Sequence, residues 1–286
     1  MEKIAIVGSG LMGSAMAWPL TDNGYEVNLV GTHLDDDIIH SCKQNRFHPH
    51  LKRQLPKNVT PFYLSELDDA LIDVAFIVSG VNSNGVRWIG ETLAPKVNRN
   101  TKIIAITKGL EATKKGELII LPDVMRAQFP AQIQDDVSIA AVGGPCIAGE
   151  LAGRRQSCVY FGSRELKTVN TLRDYFRTDY YHVWTTNDIR SLELAVALKN
   201  AYALGVGVAA GMLQVAGGAD PGGCIYAQPC CGFLCPRLQG NPQHACSPES
   251  KSGICLQLAW SRGPLCHISW WPISYAGPYN GDWPAI

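Results

Sequence analysis

Short, continuous apolar blocks recur along most of the chain, separated by polar or amphipathic stretches. Lys3-Ile-Ala-Ile-Val-Gly8, Tyr25–Val30, Val74–Val78, Ile103–Ile106, Val137–Val142 and Cys158–Phe161 are such blocks. Apolar runs of this length, bounded by turn residues, predict buried strands of a parallel sheet with helical segments on both faces. One later segment has a different character. Ser191 to Leu213 reads SLELAVALKNAYALGVGVAAGML, an almost wholly apolar helix with Lys199 and Asn200 near its centre. It is long enough to cross a membrane, but Glu193 and Lys199 inside it favour a buried helix of a folded domain, and no stable membrane insertion is expected.

The first block leads straight into Gly8-Ser9-Gly10-Leu11-Met12-Gly13 and then a helical stretch, Ser14 to Leu20. This is G-x-G-x-x-G between a strand and a helix, the setting in which it binds a dinucleotide. Gly8 serves the tight turn, Gly10 lets a pyrophosphate approach the backbone, and Gly13 lets helix pack on strand. Leu11 and Met12 fill the two loop positions whose backbone faces the cofactor. The second strand ends in Gly31-Thr32-His33 rather than in an acid that would hold a ribose 2′-hydroxyl. Asp35, Asp36 and Asp37 follow, and are read as the charged first turn of the next helix. The choice between NAD and NADP stays open.

A lysine flanked by as much Ala, Val and Leu as Lys199 is expected to be poorly hydrated. Desolvation disfavours its charged form and suits it to proton exchange at neutral pH. The alternative is a core helix whose lysine snorkels to the surface. Lys+Arg and Asp+Glu balance at 25 each, so nothing electrostatic points to nucleic acid or a membrane surface. No apolar leader precedes the first strand, and Cys42, Cys146 and Cys158 are widely spaced, as suits a reducing cytoplasm. His48-Pro49-His50 lacks further ligands and reads as a loop; no metal site is expected.

Thr107-Lys108-Gly109-Leu110-Glu111, Gly143-Gly144-Pro145-Cys146-Ile147-Ala148-Gly149-Glu150 and Ala197-Leu198-Lys199-Asn200-Ala201 follow the glycine loop in that order. Together they resemble NAD(P)-dependent sn-glycerol-3-phosphate dehydrogenase, over about residues 1–221. The resemblance implies a Rossmann-like doubly wound domain over residues 1–187 and the first helix of an all-helical substrate domain over 188–221. It implies that Lys199 accepts a proton as the secondary alcohol is oxidised and donates one when dihydroxyacetone phosphate is reduced. Lys108 is then the lysine near both cofactor and substrate, where a positive charge stabilises developing oxyanion charge. Gly8, Ser9, Gly10, Leu11, Met12, Gly13, Lys108 and Ala148 would contact the cofactor. Lys108, Gly144, Cys146, Lys199 and Asn200 would contact the substrate, with Cys146 where a serine or threonine is expected. A homodimer is implied if the second domain were intact. A related β-hydroxyacid dehydrogenase or ketopantoate-type reductase shares the glycine loop and a lysine on the interdomain helix, but not T-K-G-L-E together with G-P-x-x-A-x-E.

After about Pro221 the composition changes. Residues 222–286 hold seven of the ten cysteines, eight of the seventeen prolines and four of the seven tryptophans, with only Arg237, Glu249, Lys251, Arg262 and Asp282 charged. No helical or strand period is read there, and an irregular, poorly ordered tail is expected. Cys224, Cys230, Cys231, Cys235, His244 and Cys246 contain no paired C-x-x-C knuckle of a zinc module. A disulfide-rich appendage conflicts with the cytosolic character of the rest. Codons permitted for Trp260–His267, read one nucleotide later, allow Gly-Val-Gly-Asp-Leu-Tyr-Val-Thr, a family-like stretch carrying a substrate-site aspartate. The same shift turns Trp270-Trp271 into Gly-Gly and permits Asn-Pro-Ala-Ala-Ala-Phe-Phe-Ala-Gln-Gly from Gln228–Arg237. A frameshift near Pro221–Cys224, in the gene or in its determination, accounts for all three. As written, the tail lacks the aspartate and Arg-Asn pair that the resemblance implies for the substrate phosphate. Two classes follow: a dehydrogenase impaired at its substrate site, or a non-catalytic NAD(P)-binding fragment whose apolar helix face invites aggregation.

Overall fold

The computed structural model describes residues 2–215 and, beyond them, the strands Tyr226–Ala227, Gly253–Trp260 and Cys266–Ile273. The chain divides into two compact units, Met1–Lys199 and Asn200–Ile286. The first is built on an eight-stranded sheet. Its strands are β1 (Lys3–Val7), β2 (Glu26–Val30), β3 (Val59–Phe62), β4 (Val74–Ser79), β5 (Lys102–Ala105), β6 (Ser138–Gly143), β7 (Ser157–Ser163) and β8 (Tyr181–Thr186). They lie in the order β8-β7-β6-β5-β4-β1-β2-β3. From β3 across to β6 every pairing is parallel.

All six predicted strands are present. Cys158–Phe161 needs one correction, because β7 runs antiparallel to β6 and is parallel only to β8. Only the short helix Ala148–Ala152 separates β6 from β7, and no segment spans the sheet to return the chain in the same direction. The pattern missed β3 and β8, the two edges of the sheet. Pro61 lies within β3 and cannot donate a ladder hydrogen bond, which restricts it to an edge. β8 alternates buried Tyr181 and Val183 with exposed His182 and Trp184, the mark of a strand covered on one face.

Alternation along the inner strands sorts their side chains into two cores. Ile4, Ile6, Phe76, Val78, Ile104, Ala140 and Val142 join one. Val7, Ile77, Ile103, Ala105 and Ile139 join the other. The helices α1 (Leu11–Ala15), α2 (Ala17–Asp22), α3 (Asp36–Asn45), α4 (Leu67–Ala70), α5 (Val86–Leu93), α6 (Leu121–Arg126), α7 (Ala148–Ala152) and α8 (Leu166–Phe176) complete this layer architecture. The expected continuous helix Ser14–Leu20 is interrupted at Met16. Pro19 explains the break: its ring crowds the carbonyl four residues back, at Ala15, where α1 ends.

Helix α9 spans Ile189–Val215, slightly longer than the apolar pattern predicts. Its first turns dock on the sheet where strands lack side chains. A Cβ on Gly143 would stand 2.5 Å from Leu192 and 2.6 Å from Val196, and one on Gly162 would stand 2.7 Å from Leu192. By length and composition α9 could cross a membrane. Within the tail, where no strand period was read, the three described strands form an antiparallel sheet. Gly253–Trp260 and Cys266–Ile273 are both largely apolar runs. The frameshift junction and the cysteines and histidine considered for zinc lie outside the described residues.

Phe161 is fully buried and meets Phe176 edge to face, with ring centroids 5.4 Å apart at 83°. Phe161→Ala is expected to destabilise the first unit by about 3–5 kcal/mol, read as a lower urea midpoint with an unchanged slope.

Candidate functional site

The carboxyl ends of the parallel strands carry the predicted chemistry. β1 feeds the Gly8–Gly13 loop, β5 leads to Thr107-Lys108, and β6 leads to Gly144-Pro145-Cys146 before α7 begins at Ala148. A doubly wound sheet binds ligands in the crevice at these ends.

The glycine loop joins strand to helix as expected. Gly8 has φ +111, a conformation that side chains rarely adopt, and a Cβ there would meet the Gly80 backbone at 2.7 Å. A Cβ on Gly13 would collide with the Gly8 carbonyl oxygen. Gly10 faces open space, with nothing within 4 Å of a Cβ placed on it. The Ser9 hydroxyl is buried and has no partner. An open cradle at Gly10 beside an orphaned polar atom fits a dinucleotide pyrophosphate. Leu11 is exposed and Met12 half-buried.

Two polar side chains that sequence reasoning did not assign to the loop brace it. Asp35 precedes α3 rather than sitting in its first turn, which holds Asp36 and Asp37. Its Oδ2 accepts from the Ser9 backbone N–H (3.2 Å), the Thr32 N–H (2.9 Å) and the Thr32 hydroxyl (2.8 Å). The expectation that all three aspartates serve the helix end is thus corrected for Asp35, whose carboxylate finds better donors in the turn after β2. His48, fully buried, accepts from the Leu51 N–H at Nδ1 (3.1 Å). Its Nε2 therefore carries the proton and donates to the Ser9 carbonyl (2.9 Å). The histidine signal was visible in the sequence, but its partner lies 39 positions away.

Lys108 and Lys199 come together from different elements. Lys108 follows β5, where the Thr107 hydroxyl donates to the Val81 carbonyl at 2.6 Å and fixes the loop. Lys199 is half-buried on α9, less enclosed than its apolar neighbours predict. Deep burial falls instead on Glu193, which is 1% exposed. Lys108 keeps solvent access, yet crowding by protein lowers its pKa; the Lys199 charge lowers it further, against smaller opposing effects of Cys146 and Glu193. Cys146 is half-buried, and burial pushes its thiol up to about 11, against a hydrogen bond with Ser157 and the Lys108 charge. It is a neutral thiol at physiological pH, able to line a site and unsuited to act as a nucleophile. Gly144 precedes it at φ +140, and Ala148 opens α7, which packs on α1. Asn200 follows Lys199 on the helix and is exposed. Among the described residues no group of three metal-ligating side chains occurs.

A glycine-rich strand–helix turn, a crevice at the carboxyl ends of the strands and a lysine-bearing helix after the last strand define a dinucleotide-binding α/β fold of the dehydrogenase type. Residues 3–169 match the family described as NAD-dependent glycerol-3-phosphate dehydrogenase N-terminus. The chain belongs to this family. It is 32% identical over 203 residues to an NADP(+)-dependent glycerol-3-phosphate dehydrogenase of Archaeoglobus fulgidus, covering 71% of this chain and 59% of that relative. It is 30% identical over 212 residues to a glycerol-3-phosphate dehydrogenase [NAD(P)+] of Oceanobacillus iheyensis, covering 74% and 59%. The fold is similar to the crystal structure of glycerol-3-phosphate dehydrogenase from Coxiella burnetii, with a TM-score of 0.59, 23% identity and coverage of 70% of this chain and 58% of that one. The enzyme of Saccharomyces cerevisiae gives 0.60, 22%, 74% and 63%. The chain thus spans well under two thirds of the length of these curated relatives.

The imidazole of His48 supplies a pH test of the loop. Burial, with the His50 charge adding to it, holds its pKa below the ordinary 6.5 despite its bond to Ser9. The unfolded chain takes up this proton first, so the stabilisation is complete above about pH 6.5 and is lost as pH falls through the lowered folded value. The melting temperature is expected to fall on acidification through this window, and to fall less in His48→Gln, which can still donate to Ser9.

Proposed function

We propose that the chain derives from an oxidoreductase interconverting sn-glycerol 3-phosphate and dihydroxyacetone phosphate with NAD or NADP in the cytoplasm. The observation that carries the reading is the meeting of Lys108, Lys199 and Cys146 at the strand ends that also bear the glycine loop. Residues 1–187 act as the dinucleotide domain, with Gly8, Ser9, Gly10, Leu11, Met12, Gly13, Lys108 and Ala148 against the cofactor. When bound, the nicotinamide supplies the hydride exchange. Lys199 takes the proton from the secondary alcohol, and returns it to the carbonyl oxygen in the opposite direction. Lys108 stabilises negative charge on that oxygen from a different element, so the two charges converge on one atom. Gly144, Cys146 and Asn200 line the substrate. The Cys146 thiol is a weaker hydrogen-bond donor than the hydroxyl that the resemblance implies.

Residues 188–221 begin the substrate domain, and residues 222–286 are an out-of-frame tail that lacks the phosphate clamp. A second reading, a fragment that binds NAD(P) without turnover, is favoured by alignments that span only 59% of these relatives. One comparison separates the two. The purified chain is expected to bind reduced cofactor by fluorescence and to show negligible dihydroxyacetone phosphate reduction, because positioning of this kind is worth roughly 7–11 kcal/mol of a barrier. Restoring the frame near Pro221–Cys224 is expected to recover the reaction. In the restored chain, Lys199→Ala is expected to cut turnover about 10²–10⁴-fold with cofactor binding retained. Full activity of the chain as it stands would overturn the frameshift reading, and a loss below about tenfold in Lys199→Ala would overturn its role.

A further inference from the structure

A hairpin after α3 is bonded to the glycine loop through one carbonyl. It pairs Phe47–His48 with Arg53–Gln54 in antiparallel fashion. Leu51 within it and Leu55 just after it are buried in the same core as Ala15, Met16, Leu151 and Ala152, so apolar packing anchors the hairpin independently of the histidine. His48 adds two buried hydrogen bonds. Its Nδ1 accepts from the Leu51 N–H at 3.1 Å, and its Nε2–H donates to the Ser9 carbonyl at 2.9 Å. The Ser14 hydroxyl donates to the same carbonyl at 3.0 Å, from the helix that the loop itself begins. A peptide unit is planar and trans, so a carbonyl held in place also fixes the N–H across the bond, which points the opposite way. That N–H belongs to Gly10, and among the described residues it meets no hydrogen-bond acceptor.

We propose that His48 is a positioning residue for the dinucleotide: by holding the Ser9 carbonyl it presets the Ser9–Gly10 peptide with its N–H turned to the pyrophosphate, so that cofactor affinity depends on the neutral imidazole. The inference rests on the glycine loop being the dinucleotide site.

A loop without this bond must be ordered by the cofactor at the moment of binding, and that ordering is subtracted from affinity. Asp35 does not substitute for it. The Ser9 N–H that Asp35 accepts lies in the preceding peptide unit, and leaves the Gly10 N–H free to swing. Only one protonation state of His48 serves. A charged imidazole carries hydrogen on both nitrogens. Nδ1 then opposes the Leu51 N–H instead of accepting from it, and a ring that turns away from Leu51 takes the Ser9 bond with it. The titratable groups that face the ring are His50, in the same hairpin with ring centroids 6.2 Å apart, and Asp35, from the turn after β2. Helix α1, Leu11–Ala15, carries none. His50 opposes a charge on His48 and Asp35 favours it, and burial, the largest influence, opposes it. A glutamine at position 48 keeps the donor and does not titrate, whereas a leucine fills the space without one.

The test measures the Kd of NADH and of NADPH by calorimetry for the full chain and its variants His48→Gln and His48→Leu. Each is compared at about pH 7.5 and about pH 5.5, on either side of the ordinary histidine value, with circular dichroism showing that the chain is folded. At the higher pH, His48→Leu is expected to bind about tenfold more weakly than the unmodified chain, and His48→Gln to stay within about threefold of it. On acidification the unmodified chain is expected to lose affinity and His48→Gln to lose less; any titration of the cofactor itself is common to both. A histidine that only steadies the hairpin predicts a lower melting temperature in His48→Leu with Kd within about twofold, and that result overturns the proposal. If His48→Leu does not fold, the pH profiles decide, and equal losses in the unmodified chain and His48→Gln overturn it. An unmodified chain that binds neither cofactor at the higher pH overturns the cofactor reading itself, and the proposal with it.

Discussion

The carboxyl ends of the sheet depend on how closely backbone can approach backbone. The turn after β1 stands against Gly80 at the end of β4, and α1 starts against the carbonyl of Gly8. Side chains at these positions would hold the elements apart, and the backbone amides of the turn would no longer line a crevice. The same constraint operates at β6, where Gly143 lets Leu192 and Val196 seat α9 directly on the strand. Helix α9 therefore begins at a height fixed by the sheet. That height sets where Lys199 stands on the first unit.

Electrostatics at this place follow from the packing. Two lysines brought together repel, and crowding by protein strengthens the repulsion relative to water. Glu193, sealed from solvent, cannot ionise cheaply without a compensating charge. The glycine loop is held by a different set of bonds. Asp35 accepts the Ser9 N–H and His48 donates to the Ser9 carbonyl, so both polar groups of one peptide position are anchored from outside the loop.

Tyr202, Leu204, Val208 and Met212 are all more than half exposed. Apolar surface of this extent normally lies against another element, and exposure favours association. The alignment with the two curated relatives covers 71–74% of the chain. Cofactor recognition needs mainly the backbone of the first turn.

Much of the fold was legible because its determinants are local. Six central strands announced themselves as apolar blocks, buried on both faces whatever their neighbours. Gly8 and Gly13 announced a turn with no room for a side chain at either position. The edges were not legible, since a strand with Pro61, or one alternating like Tyr181–Trp184, is stabilised by a single neighbour and carries a weaker pattern. The reversal of β7 was equally hidden, because a buried strand reads the same in either direction. What the chain by itself determined is the parallel core, the dinucleotide turn and the two lysines. Only tertiary structure decided that Asp35 and His48 would converge on Ser9, that Lys199 would be half-buried, and that Glu193 would be sealed without a donor. Those outcomes depend on distances between elements far apart in sequence, and local pattern carries no information about such distances.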